Sequence, residues 1–316
     1  MTRRRVLTHP DDAHAIVYHL IVVAAYALAF YLYLLPERAG LDGPWERAAF
    51  VAASALMLGW ISGIDVGVNF HNHVHRPVFR VAWLNRWFGR LWTFTGGWPS
   101  MFWEHSHLTV HHDHILGPGD WTLPRRRTDG SFESLFVYAL AHWPWRYARH
   151  LLRDFRSGRG GTGIGRRAAI ELGWFAVLWS IPFLIDPMMA VWLWVLPHFI
   201  ANVYVMGPGM YAQHFGCSAP ESGNAHAHSN TFLSTFFNLT MFNVGYHIEH
   251  HDHPLVHWSA LPRLHERLKG SLVDHGGHVV PFGYYRAGQL LSALTMPRRG
   301  REIFTAQHPD YRSRAG

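Results

Sequence analysis

The chain has 316 residues, of which 49% are hydrophobic, and it carries a formal net charge of +7 at pH 7. This length allows one or two domains. The single cysteine, Cys217, excludes an internal disulfide and an iron–sulfur cluster ligated by this chain alone. Because no base-reading or base-stacking module accompanies the basic charge, nucleic-acid binding is the weaker explanation of that charge.

The apolar residues are concentrated in four blocks separated by polar and charged segments. A helix needs about 20 residues to cross the hydrocarbon core of a bilayer, and each block is close to that length. We therefore predict an all-α integral membrane protein with four transmembrane helices in two hairpins; buried helices of a large soluble domain are the alternative. The predicted spans cover residues 15–35, 48–70, 168–185 and 187–206.

The distribution of arginines predicts the orientation of these helices. Arginine runs precede the first block, lie between the second and third and follow the fourth, whereas the loop between the first two blocks carries only Arg38 and Arg47. By the positive-inside rule both termini and the long middle segment are cytoplasmic. We therefore expect a single membrane domain over residues 1–316, in which residues 71–167 and 207–316 form a cytoplasmic helical cap that holds a di-metal site. Many arginines beside a single lysine suggest a GC-rich bacterial genome, and hence the bacterial inner membrane.

Three short clusters contain many of the 26 histidines of the chain. Residues three and four positions apart share one face of a helix, so histidines at these spacings direct their rings to one place. Neutral imidazole is a good ligand for iron, zinc and copper. The clusters are His71–His75 (HNHVH), His105–His114 (HSHLTVHHDH) and the histidines of Asn243–Pro254 (NVGYHIEHHDHP).

The number of histidines favours two metal ions over one. A structural zinc site closes with four ligands and often uses thiolates, whereas here eight histidines lie at the strict spacings and no cysteine pair is present. We expect the few carboxylates near the clusters to accept hydrogen bonds from the outer ring nitrogens rather than to bind metal. They are Glu104, Asp113, Asp120, Glu249 and Asp252, with Asp65 in the second apolar block as a candidate for the same outer role or for a role near substrate.

Other histidines lie in or near the clusters but outside these spacings. The pattern leaves their roles open between metal binding, support of a ligand ring and simple exposure. They are His73, His105, His114, His226, His228 and His253. His198 follows Pro197 inside the fourth apolar block and is expected to be a packed, hydrogen-bonded histidine.

The three clusters in this order, together with four spans, resemble the histidine boxes of the membrane fatty acid desaturase and hydroxylase superfamily. The first box carries Asn72 where that family often has aspartate, and the second, H-x-x-x-H-H, has the longer spacing of the integral-membrane alkane monooxygenases. The third box, followed by Trp258 and Leu261-Pro262, is similar to those of acyl-lipid desaturases and carotenoid ketolases. The run Tyr211–Gly216 (YAQHFG) resembles the lone-histidine segment after the fourth helix and supplies His214.

The resemblance implies a non-haem di-iron centre that uses molecular oxygen on an unactivated C–H bond. Desaturation of a fatty acyl chain is the expected reaction, and hydroxylation or ketolation of a lipid, an alkane or a carotenoid is the alternative. A metal transporter is the alternative from another class, although transporters place their polar ligands in broken helices at the bilayer midplane. The ligands that the resemblance implies for two iron ions are His71, His75, His107, His111, His112, His214, His247, His250 and His251.

Oxygen activation also needs electrons, and no glycine-rich nucleotide fingerprint or cysteine set for an electron-transfer cluster is visible in the sequence. We therefore expect a separate ferredoxin-like carrier with its reductase as partner, beside the lipid-like substrate and the membrane lipids. Arginines of the middle segment could form its docking surface or bind anionic headgroups instead. They are Arg125, Arg126, Arg127, Arg153, Arg156 and Arg159.

Overall fold

The computed structural model describes residues 6–125, 133–141, 145–161, 163–220 and 223–283 of the chain. Arg126 and Arg127 lie outside these residues. The chain divides into two compact units. The first comprises residues 1–104 and 158–206, and the second comprises residues 105–157 and 207–316.

Within the described residues, four helices are long and apolar enough to cross a membrane, which confirms the predicted number of spans. Two of them continue past their apolar blocks, because short π-helical segments carry the backbone onward without a break. The second therefore ends at the first histidine cluster and the fourth ends at His214. The four spans are Asp12–Leu34, Pro44–His75, Ile164–Ile185 and Pro187–His214.

Local sequence explains where these helices begin. Pro44 occupies the first turn of the second span, where its missing N–H costs nothing. Asp186 caps the fourth span, because its side chain accepts a 2.7 Å hydrogen bond from the Met189 amide and Pro187 follows it at the first helical position. The Asp186-Pro187 pair thus ends the third span and starts the fourth within two residues.

The first unit contains the following elements in chain order. They are α1 (Asp12–Leu34), α2 (Pro44–Ile64), π1 (Asp65–Phe70), α3 (His71–His75), α4 (Ala82–Gly96), α5 (Ser100–Glu104), α8 (Ile164–Ile185), α9 (Pro187–Ala190), π3 (Val191–Val195), α10 (Leu196–Ile200) and π4 (Ala201–Met206). A 3₁₀ turn at Pro36–Ala39 lies between α1 and α2.

Close helix packing forms the core of the first unit. Tyr26 of α1, Leu58 of α2 and Trp194 of π3 are buried in one apolar cluster. Two glycines of α2 let α10 and π4 approach its backbone: a Cβ on Gly59 would lie 2.5 Å from Ile200, and a Cβ on Gly63 would lie 2.4 Å from Val205. Small residues at such crossings are typical of membrane helices.

A buried polar network links α1, π1 and α4 inside the same unit. Oδ2 of Asp65 lies 2.7 Å from Nδ1 of His19 and accepts a 2.9 Å hydrogen bond from Thr95. Its Oδ1 accepts from the Asn69 amide, which also donates to the carbonyl of Ala15 at 2.8 Å. A carboxylate buried in a membrane helix is costly unless it is paired. The contacts described for Asp65 thus hold the start of π1 and involve no ring of the three histidine clusters.

The second unit contains π2 (His105–His112), α6 (Leu135–Ala141), α7 (Tyr147–Ser157), α11 (Gly207–His214), β1 (Asn230–Phe232), α12 (Thr235–Thr240), α13 (His247–Asp252), α14 (Leu261–Leu272) and β2 (His278–Val280), with a 3₁₀ turn at Trp258–Ala260 before α14. The two strands pair in parallel, with Asn230 opposite His278 and Phe232 opposite Val280. They form a small sheet, and the described part of the chain is predominantly helical, as predicted. Ile248, Leu272 and Val279 pack together beside this sheet.

The glycine at position 59 provides a test of the helix packing. We expect Gly59→Ala to lower the thermal unfolding temperature in detergent, because overpacking of a tight crossing typically costs about 1–3 kcal/mol. Gly173→Ala in α8 is the matched control, since a Cβ there meets no atom within 4 Å. Thermal unfolding followed by intrinsic fluorescence measures both, and an undiminished unfolding temperature for Gly59→Ala would contradict the close approach.

Candidate metal centre

The first histidine cluster lies on α3, in the first unit. His71 and His75 are four residues apart, and their ring centroids lie 5.2 Å from each other. The α-helical spacing therefore places both rings on one side of α3, as predicted. His73, between them, makes different contacts. Its Nδ1 accepts a hydrogen bond from the Val78 amide at 3.3 Å, and its ring packs against Phe88 and Trp92.

The second cluster lies on a π-helix, π2, a helix type that the histidine spacing had not predicted. The π-helix closes its hydrogen bonds between residues five apart. In a π-helix the residues one turn after position i are therefore i+4 and i+5. In an α-helix they are i+3 and i+4. The centroids of His111 and His112 accordingly lie 5.5 and 4.7 Å from that of His107. The longer H-x-x-x-H-H spacing suits this helix type.

The third cluster lies on α13, and a tight turn leads into it. Phe242 and Asn243 adopt left-handed backbone angles, with φ of 47° and 59°. Gly245 must be a glycine, because a Cβ there would lie 2.5 Å from both the Phe232 carbonyl and the Asn238 side chain. The turn starts α13 at His247, so that His250 and His251 follow three and four residues later on one face.

Four histidines of the second unit bring one ring nitrogen each to a common place. Those nitrogens all lie within 4.8 Å of one another. The Nε2 atoms of His111 and His251 are 3.2 Å apart, those of His251 and His247 are 3.1 Å apart, and those of His247 and His214 are 3.1 Å apart. All four side chains are buried or half-buried. Four imidazoles from π2, α11 and α13 thus form a compact candidate metal site.

In two of these rings, the contacts of Nδ1 show which ring nitrogen carries the proton and which carries the lone pair. Nδ1 of His111 lies 2.9 Å from a carboxylate oxygen of Asp120, and Nδ1 of His214 lies 3.0 Å from the carbonyl oxygen of His228. Both partners can only accept, so each Nδ1 carries the proton and each Nε2 directs a lone pair inward. Converging lone pairs repel unless a cation lies between them, and a transition metal ion fits this donor set.

The pKa of His251 supports the same conclusion. Burial lowers it well below its ordinary value, and the neighbouring rings of His112, His247, His111 and His214 lower it further. His251 is therefore neutral near pH 7 and can donate its lone pair to a metal.

Three further histidines of the second unit surround this group. The ring centroid of His112 lies 4.3 Å from that of His251 and 5.2 Å from that of His250, and that of His107 lies 6.3 Å from that of His250. Seven of the nine expected ligands are therefore close neighbours within the second unit, and His71 and His75 form a pair within the first.

The carboxylates named from the sequence have different surroundings. Asp120 supports His111 directly and is fixed by hydrogen bonds from both the amide and the hydroxyl of Thr122, at 3.1 and 2.6 Å. Glu249 accepts from Thr231 at 2.7 Å and pairs with His265, so it fastens α13 to β1 and α14. Asp113 is exposed.

Two more of these carboxylates bind groups other than the expected ligands. Glu104 pairs with Arg167 and lines a cavity of about 620 Å³ in the first unit. Asp252 contacts His226 and His228. Burial raises the pKa of Asp252, but its close contacts with these two histidines outweigh burial and lower that pKa to about 2.

Four other histidines considered in the sequence are either exposed or in contact with groups outside the candidate metal site. His105 contacts Asp154 at 3.3 Å, and His114 and His253 are exposed. His198 is packed as expected, with its ring nitrogens 2.6 and 2.8 Å from the carbonyl oxygens of Trp194 and Phe94. The main-chain role of His228 toward His214 was not visible in the sequence, since fourteen residues separate the two.

Comparison with known proteins gives one family match and three relatives. The family described as fatty acid desaturase matches residues 46–283, about three quarters of the chain. A beta-carotene ketolase of Paracoccus sp. (strain PC1) is 27% identical over 173 residues, which is 49% of this chain and 71% of the ketolase. Sphingolipid delta(4)-desaturases of Candida albicans and Komagataella phaffii are 36% and 38% identical over 79 and 72 residues. These two matches cover 24% and 21% of this chain but only 21% and 17% of the desaturases.

The contact between Asp120 and His111 yields a test of the metal site. We expect Asp120→Ala to weaken metal binding by about 10–100-fold, the usual cost of removing the acceptor behind a metal-binding histidine. Metal content of the purified protein after dialysis against a graded chelator measures the change. Asp113→Ala, an exposed carboxylate seven residues earlier, serves as the control and should retain the wild-type content. Equal metal retention in Asp120→Ala and wild type would show that Asp120 does not support the site.

Proposed function

Because this chain belongs to the fatty acid desaturase family, we propose that it desaturates a fatty acyl chain with molecular oxygen as co-substrate. The chain is an oxidoreductase with four apolar helices suited to a membrane. The observation that carries the proposal is the convergence of four imidazole nitrogens in the second unit. A buried all-imidazole site suits redox-active iron and offers no thiolate for a structural zinc.

The proposed centre consists of two iron ions held by the nine histidines that the histidine boxes and Tyr211–Gly216 supply. When bound, the irons would activate oxygen with two electrons so that an unactivated C–H bond is broken. The residues of this chain bind and orient the metals, and burial of the rings keeps bulk water away from them. Asp120 and the main chain at His228 hold the two protons that fix the ring tautomers.

The overall reaction balances without a further cofactor on this chain. Removal of two hydrogens from neighbouring carbons, together with one oxygen molecule, two electrons and two protons, gives an alkene and two water molecules. If one oxygen atom is inserted into the C–H bond instead, the same inputs give an alcohol and one water molecule. Electron supply is therefore common to both outcomes, and the placement of the substrate carbon decides between them.

Ketolation of a carotenoid-like lipid is the second candidate. Two observations favour it: the match to the beta-carotene ketolase covers 71% of that protein, and the second histidine cluster has the longer H-x-x-x-H-H spacing. The sphingolipid desaturase matches have the higher identity but are confined to about a fifth of those proteins. Desaturation remains the primary proposal because the family match extends over residues 46–283.

Expression in a host that makes both fatty acids and carotenoids decides between the two. Mass spectrometry of the extracted lipids should show acyl chains two hydrogens lighter and unchanged carotenoids. His111→Ala and His250→Ala should abolish the product and reduce iron content, whereas His253→Ala, an exposed histidine beside the third cluster, should retain both. Oxygenated carotenoids with unchanged acyl chains would establish ketolation instead, and full activity in both cluster variants would exclude the proposed ligands.

We further propose that both termini are cytoplasmic, in a bacterial inner membrane, and that a ferredoxin-like carrier with its reductase delivers electrons to the second unit. Helix α7 provides a basic surface: Arg149, Arg153 and Arg156 are exposed and lie three and four residues apart, while Leu151 is buried on the opposite side. The charge of this surface affects His150. Partial burial lowers the pKa of His150 most, and the nearby Arg153 and Arg149 lower it further. Anionic lipid headgroups are the other possible ligand of this surface.

Charge reversal distinguishes a carrier from lipid. We expect Arg149→Glu/Arg156→Glu to slow turnover with an acidic ferredoxin and to weaken its salt dependence, because steering acts over a screening length of about 8 Å at physiological salt. Turnover with a small chemical reductant should be unchanged. Arg38→Glu/Arg47→Glu makes the same charge change in the turn after α1 and in the first turn of α2, and it should leave both rates as they are. Equal losses with the protein and the chemical donor would identify α7 as a lipid contact.

A further inference from the structure

The second unit contains another group of metal-binding side chains, separate from the nine histidines. His226, His228 and Asp252 each offer one ligand atom, and these atoms all lie within 4.8 Å of one another. His226 and His228 alternate in the loop before β1, and Asp252 is the last residue of α13. The third histidine cluster therefore ends in a carboxylate that contacts two histidines from a different segment.

The two histidines of the group contact the two oxygens of the Asp252 carboxylate. Oδ1 of Asp252 is 3.0 Å from Nε2 of His228, and Oδ2 of Asp252 is 2.8 Å from Nδ1 of His226. The second pair is close, yet neither atom makes an aligned hydrogen bond, although both are shielded from solvent. Two donor atoms bound to one ion at about 2.0–2.2 Å lie about 3–3.6 Å apart at right or tetrahedral angles, and the three ligand atoms here all lie within 4.8 Å of one another.

The surrounding chain prepares these side chains for metal binding. Nδ1 of His228 lies 2.8 Å from the Ser229 hydroxyl, which can accept a hydrogen bond from it. With its proton on Nδ1, His228 would present the Nε2 lone pair to an ion. The main chain of His226 is held by a 2.9 Å hydrogen bond from its amide to the carbonyl of His275. A Cβ on Gly277 would lie 3.2 Å from Cβ of His226, so the turn that follows α14 also packs tightly against this loop.

We propose that His226, His228 and Asp252 bind a third metal ion, a divalent first-row transition metal such as Zn²⁺ or Fe²⁺. Two imidazoles and one carboxylate suit these ions and leave open coordination positions for water. The side chains are 15%, 5% and 18% exposed, so an ion can exchange with solvent. Because it has its own ligands, this site does not depend on the proposed reaction.

Metal counting on the purified full-length protein tests the site. After saturation with Co²⁺ and removal of free ions, wild type should hold one equivalent more than Asp252→Asn and than His226→Ala, with a matching loss of visible cobalt absorbance. His253→Ala, the neighbouring exposed histidine, should bind as much as wild type. The same cobalt content in wild type, Asp252→Asn and His226→Ala would overturn the proposal.

Two further comparisons separate the cobalt result from misfolding of a variant and from metal bound at the di-iron centre. Asp252→Asn keeps the size of the side chain, so it carries the test if size-exclusion chromatography shows that His226→Ala is misfolded. The loss of one equivalent should also recur when Asp252→Asn is made in a His111→Ala/His247→Ala background. If that background alone holds as much cobalt as wild type, the four-nitrogen cluster binds no metal, while the Asp252-dependent equivalent still reports the third site. If the background abolishes the Asp252-dependent loss, the separate site is excluded.

Discussion

A buried imidazole can bind a metal only if its inner nitrogen has no proton, and that condition is set at the outer nitrogen. In the second unit, Asp120 accepts the outer proton of His111, and the carbonyl of His228 accepts that of His214. Neither acceptor is adjacent in sequence to the ring that it orients. The loop 115–122 and the loop before β1 thus affect metal binding, because they place the acceptors that keep the proton on Nδ1 and leave the lone pair on Nε2.

The first unit meets a different constraint, the cost of polar groups in apolar surroundings. Its helices approach closely at Gly59 and Gly63, and a buried polar network joins Asp65 and His19 in the same unit. That network contacts the helix just where α2 changes into π1, six residues before His71. A buried pair of this kind adds little net stability. It can fix the rotational setting of π1 and α3, and thereby the direction in which His71 and His75 point.

Much of this architecture could be predicted from the sequence, because the signals were periodic. Four apolar blocks of sufficient length gave the number of spans, and the spacings of His71 with His75 and of His247 with His250 and His251 gave shared faces on α-helices. The features that could not be predicted depend on tertiary contacts or on the type of helix. The parallel pairing of β1 with β2 joins residues almost fifty positions apart. Glu104 and Asp65 were candidates for the same outer role as Asp120, yet their partners are Arg167 and His19, which only the fold brings near.

The π-helical second cluster has a consequence for how such proteins vary. In an α-helix, adding one codon between the first histidine and the following pair would rotate that pair away from its partner by about a quarter of a turn. In π2 the extra residue is absorbed by the wider turn, so that His111 and His112 both remain beside His107. One more residue between the first histidine and the pair is therefore compatible with three neighbouring rings. A sequence pattern with a fixed interval between these histidines would miss chains that accommodate the extra residue in this way.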